Sequence, residues 1–149
     1  MATVEDEARD SLFRDIKGAK TQSLFREVNE RLKEAGQHGV ASAYAEDAIC
    51  ECANDECSER IWLAADEYEE LRRQGARFAV APADEHVFPD FERVVEKHER
   101  YWVVEKQDQA AAVAMKLDPR RRTKQIRRSP DERDSSVRLA STACLSSSC

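Results

Sequence analysis

No stretch of this chain is apolar for long enough to span a membrane, and its first residues lack the positive charge and apolar run of a secretory leader. Both absences predict a cytoplasmic protein, where thiols stay reduced and clustered cysteines serve as metal ligands or redox groups rather than disulfides. The common catalytic signatures are missing too. There is no H-E-x-x-H, G-x-S-x-G, Walker phosphate loop or dinucleotide glycine fingerprint, and no H-x-E with P-C-x-x-C of the zinc deaminases. Aromatic residues make up only 7% of the chain. Most of them gather in its middle, at Trp62, Tyr68, Phe78, Phe88, Phe91, Tyr101 and Trp102, which places the core there.

What is present is charge, unevenly spread. Residues 1–117 hold 26 Asp/Glu against 16 Lys/Arg, and residues 118–149 hold 4 against 8, so an acidic body precedes a basic tail. An acidic body repels a phosphate backbone, which leaves nucleic-acid contact to the tail, through Arg120, Arg121, Arg122, Lys124, Arg127 and Arg128. A basic run of this kind is more often simply solvated.

The order of elements predicts an α+β fold. N-terminal amphipathic helices occupy 1–38, a β-rich domain with one helix occupies 46–117, and a disordered Ser/Arg-rich tail fills 118–149. One helix begins at Thr3, with Leu12, Ile16 and Ala19 on its apolar side and Gly18 as a weak point. A second runs from about Thr21 to Ala35, with a stripe of Leu24, Phe25, Val28, Leu32 and Ala35 and a stop at Gly36. That stripe has to be buried, either on the protein's own sheet or on a partner or second copy.

Further on, Ala48 to Cys52 is extended, Asn54 to Glu56 forms a turn, and Arg60 to Leu63 returns as a strand. A helix spans Ala65 to Gln74, a strand Arg77 to Ala81, and a hairpin pairs Glu92 to Val95 with Tyr101 to Val104. Gln107 to Leu117 continues as a helix.

The chemistry-bearing feature is Cys50-Glu51-Cys52 with Cys57, followed by His86. In an extended segment Cys50 and Cys52 point one way and Glu51 the other, and the turn returns Cys57 toward them. Three thiolates and an imidazole are good donors for tetrahedral zinc. Intervals of one and four residues differ from the usual zinc knuckles, and three small buried cysteines without metal are the alternative. The short stretch 48–106 favours metal, because small cores usually need a staple. His98 competes as fourth ligand but falls in the hairpin loop, and His38 reads as linker. Cys144 and Cys149 lie in the tail. A metalloenzyme would use Glu51 as general base on a metal-bound water. A redox-sensing thiol is disfavoured by the acidic neighbours.

These segments together resemble a group of small bacterial proteins with the pattern F-R-E-V-N-E-R, C-E-C-x4-C, I-x-L-x3-E-Y-E-x-x-R, R-F-x-V-x-P, a His with E-R-V-V, and Y-x-V-V-E-K. They stand here at residues 25–31, 50–57, 61–72, 77–82, 86–95 and 101–106. The resemblance covers about residues 22–120 and implies metal binding but no particular activity. This chain departs from the group in Pro82-Ala83-Asp84-Glu85-His86, two residues longer than its Pro-Gly-His, and in Ala64, where a capping Thr or Ser is usual.

Overall fold

The computed structural model describes residues 3–37 and 47–121. The tail beyond Arg121, with Cys144 and Cys149, lies outside the described residues, and so does His38. The described residues up to Asp118 form one compact unit.

The fold is α+β. Helix α1 (Val4–Gln37) is followed by β1 (Asp47–Ile49), β2 (Arg60–Trp62), α2 (Ala65–Arg72) and β3 (Arg77–Val80). A single 3-10 turn over Asp84–His86 leads to β4 (Glu92–Lys97), β5 (Trp102–Lys106) and α3 (Asp108–Lys116). Strands β1 and β2 pair antiparallel, with Ala48 opposite Ile61. The other sheet has the order β3-β5-β4, all antiparallel, and a bulge at Val95 interrupts the β4–β5 register. Among the described residues no helix is long and apolar enough to cross a membrane.

The main core joins the two sheets and α2 through Ile61, Leu63, Leu71, Phe78, Val80, Val103 and Val104, and the Cys50 and Cys52 side chains are part of it. α2 starts without a side-chain cap at Ala64, but Glu67 Oε2 accepts the Ala64 backbone N–H at 2.9 Å and supplies half of a capping box.

The N-terminal region departs from expectation in two ways. It is one continuous helix of 34 residues rather than two, and neither Gly18 nor Gly36 ends it. Gly18 has a packing role: a Cβ there would lie 2.5 Å from Phe91 Cζ. Phe91 docks into the notch beside Ala19 and Ala110, in a small second core where α1 meets α3. The helix-breaking cost of glycine, about 1 kcal/mol, is offset by burial of that ring.

The second departure concerns which face is buried. Along α1 the side turned to the body carries Ala19, Gln22, Ser23, Arg26 and Asn29, while the apolar stripe is partly or largely exposed. Leu24 is 60% exposed and Phe13 68%. Hydrophobic periodicity misplaced this face because the body offers α1 buried charged and polar partners instead of an apolar surface. Gln22 Nε2 donates to Glu92 Oε2 at 3.0 Å, and Lys106 Nζ donates to the same oxygen at 2.7 Å. Arg72 donates to Glu30 on α1 and to Asp118, each at 2.6 Å. Buried charges survive when paired and hydrogen-bonded, and burial still pulls the Lys106 ammonium down to about 8.

Candidate metal centre

Three segments build the centre. The strand β1 runs into Cys50-Glu51-Cys52, which from Glu51 onward lies against β3: Glu51 N–H donates to the Ala79 carbonyl at 2.8 Å. Extended backbone then turns Cys50 and Cys52 to one side and Glu51 to the other, as the alternation predicts. A tight turn follows, in which Asn54 Oδ1 accepts the Glu56 N–H at 3.1 Å and the Asn54 carbonyl accepts the Cys57 N–H at 3.2 Å. This side-chain-assisted turn reverses the chain within three residues and returns Cys57 to the other thiols. Pro82 ends the edge strand, and the 3-10 turn after it delivers His86.

The donor atoms of Cys50, Cys52, Cys57 and His86 all lie within 4.8 Å of one another. His86 Nδ1 is 3.7 Å from Cys50 Sγ and 3.7 Å from Cys57 Sγ. A tetrahedral ion with metal–sulfur bonds of about 2.3 Å and a metal–nitrogen bond of about 2.0 Å sets that edge at about 3.5 Å. The cluster therefore has the size and the donors that could hold a metal ion.

Its electrostatics suit thiolate. Cys50 Sγ accepts the Ala81 backbone N–H at 3.2 Å. The Cys52 thiol is drawn down to about 5, first by a hydrogen bond from Cys50, then by those from His86 and the Asn54 region. Cys50 is pushed up by the same contact and by burial, and Cys57 chiefly by burial. Three sulfurs this close disfavour one another's ionisation, a repulsion that a bound cation would relieve.

Glu51 lies outside this cluster. Its fully buried carboxylate accepts from Asn29 Nδ2 at 3.0 Å and from the Ala79 N–H at 3.3 Å, with Arg26 Nε 3.9 Å away. Burial raises its pKa, and Arg26 and Asn29 oppose the rise. Glu51 is thus a structural anchor on the far side of the strand from the thiols, and the role of general base at this centre is withdrawn from it. The neighbouring acids Asp55, Glu56 and Glu59, by contrast, lie at the surface.

His98 is not among the clustered donors. It stacks on Tyr101 with ring centroids 4.5 Å apart, and its Nε2 meets Glu96 Oε2 at 3.1 Å. Arg26 and Asn29, which hold the cysteine segment from behind, and Gln22, which reaches Glu92, escaped sequence reasoning. The available signal was their i, i+4, i+7 spacing on one helical face.

No family model, curated protein or solved structure matches this chain.

Proposed function

We propose that this protein is a small zinc-binding module whose metal, held by Cys50, Cys52, Cys57 and His86, staples the β1–β2 hairpin to the β3–β5–β4 sheet and so supports protein interaction or regulation. The observation that carries the reading is the convergence of three thiols and one imidazole nitrogen, from segments 36 residues apart at their extremes, on one space within 4.8 Å. Zinc is the ion of choice because three thiolates with an imidazole give it closed tetrahedral coordination and leave no position for water. A closed site of this kind is structural. Its chemistry is to link segments, and the Cys50 and Cys52 side chains already pack in the hydrophobic core.

The interaction surface is the outward stripe of α1. Phe13 and Leu24 are exposed there among charged residues, and large exposed apolar side chains along one helix are the raw material of helix-in-groove docking or self-association. The opposite face of the helix is fixed to the body by ion pairs, so the stripe is available without unfolding the helix.

Metal analysis of the purified protein, followed by thermal unfolding with and without a strong chelator, tests the reading. One zinc per chain and a large fall in melting temperature on chelation are expected. Metal-free protein with unchanged stability contradicts it. For the surface, Phe13→Glu with Leu24→Glu is expected to lower the mass seen by analytical ultracentrifugation or to abolish retention of a partner, with stability unchanged. Unaltered association removes this face from the account.

A further inference from the structure

Resting on the zinc reading above, we propose that Glu59 and Glu85 are positioning residues: they take the outer N–H of His86, fix its ring so that Nδ1 faces the thiols, and thereby set the affinity of the centre. The His86 ring is only 6% exposed, and its Nε2 is buried with no hydrogen-bond partner. A buried N–H left unpaired is unfavourable, so such a group calls for an acceptor. Two carboxylates flank it: Glu85 Oε1 at 3.6 Å and Glu59 Oε2 at 3.7 Å. Their side chains are 77% and 57% exposed, and rotation about their own bonds closes the remaining distance.

The sequence placement is economical. Glu85 precedes His86 within the same 3-10 turn. Glu59 follows Cys57 by two residues, and its backbone carbonyl accepts the Cys50 N–H at 2.9 Å, which fixes its position relative to the thiols. Each carboxylate therefore sits on a segment that also carries a ligand. With Nδ1 toward the sulfurs, the proton resides on Nε2, and an anionic acceptor there favours that tautomer and makes the ring a better donor. The two acids also explain local charge that the thiols alone leave without a purpose.

The test uses the full-length protein and the variant pair Glu59→Ala/Glu85→Ala, with Glu59→Gln/Glu85→Gln as the conservative counterpart. Zinc affinity is read by competition with a chromophoric chelator. The His86 tautomer is read by long-range nitrogen–proton NMR correlation. The double Ala variant is expected to lose roughly ten- to a hundredfold in affinity, with one metal per chain and an unchanged cobalt(II) ligand-to-metal spectrum. The His86 Nε2–H signal is expected to exchange faster, and the Gln pair, which retains an acceptor, to recover part of both. An affinity within about twofold of the parent, or an Nε2–H unaffected by either pair, overturns the proposal. So does a second zinc in the parent that the Ala pair removes, because the carboxylates would then be ligands themselves. A parent that binds no zinc fails earlier and removes the reading on which this one rests.

Discussion

The guanidinium of Arg26, on the long N-terminal helix, lies 3.9 Å from the carboxylate of Glu51, the residue between the first two thiols, and both side chains are wholly buried. Arg26 also covers the Phe78 ring at 3.6 Å and donates through Nη1 to the Gly75 carbonyl at 2.6 Å. Asn29 completes the link, giving Nδ2 to the Ile49 carbonyl and to Glu51 while its Oδ1 accepts the Ile49 N–H. α1 is thus fastened to the cysteine strand by charge and amide hydrogen bonding rather than by apolar contact.

Breaking this pair from one side is costly. Arg26→Met leaves Glu51 buried without its cation, and a loss of about 3–5 kcal/mol is expected on urea unfolding. Glu51→Gln is expected to be destabilising as well. The double variant Arg26→Met/Glu51→Leu restores balance, so its loss falls well short of the sum of the single losses, the sign of a coupled pair. Strict additivity contradicts the link.

The two helical glycines respond oppositely to alanine. At Gly36 a Cβ meets nothing within 4 Å, so Gly36→Ala gains about 0.5–1 kcal/mol of helix stability. At Gly18 the Cβ collides with Phe91, itself buried and stacked on Phe88 with centroids 5.7 Å apart. Overpacking of that kind costs about 1–3 kcal/mol. Thermal melts of the two variants decide it, and a stabilising Gly18→Ala refutes the notch.

The outer face of the β4–β5 ladder carries a pH-dependent contribution. Glu105 accepts from Arg77 at 3.0 Å and from Arg93 at 3.1 Å. These hydrogen bonds, Arg77 first, hold its carboxyl below the usual range, against a smaller opposing effect of burial. A depressed carboxylate stabilises the fold above its unfolded pKa, and that contribution disappears as pH falls through the folded value. Glu105→Gln is therefore expected to cost about 0.5–1 kcal/mol at pH 7. The difference from the parent closes in acid. A gap that persists below the carboxylate range contradicts the assignment.

Removal of the proposed metal is expected to act unevenly across the molecule. The hairpin of β1 and β2 has only three paired residues per strand, too few to hold alone. Hydrogen exchange after chelation is expected to accelerate first at residues 49–63 and around His86. The β3–β5 amides, in the larger sheet, keep more of their protection. Uniform protection throughout opposes a structural role for the ion.

How much of this was legible in the sequence depends on which physical signal each element obeys. Strand, turn, α2 and hairpin positions followed from alternation and from Asn54, Gly75 and Pro82, and the α+β class with them. The cysteine geometry was legible for the same reason: an extended backbone leaves Cys50 and Cys52 on one side and Glu51 on the other. α1 was not, because its buried face is written in Gln22, Arg26 and Asn29, residues that read as solvent-facing until their partners Glu92, Gly75 and Glu51 are placed in space. Gly18 read only as a weak point for a related reason, since only the Phe91 ring, far along the chain, reveals the notch. The half-cap at α2 likewise needed the structure to show Glu67 replacing what Ala64 lacks.

The central claim is a closed centre of three sulfurs and one nitrogen, and X-ray absorption at the zinc edge tests it most directly. The expected spectrum fits three sulfurs at about 2.3 Å and one imidazole nitrogen at about 2.0 Å, and His86→Ala replaces the nitrogen shell or loses the metal. A first shell dominated by oxygen, or a shell of three sulfurs and one nitrogen that survives His86→Ala unaltered, contradicts the account.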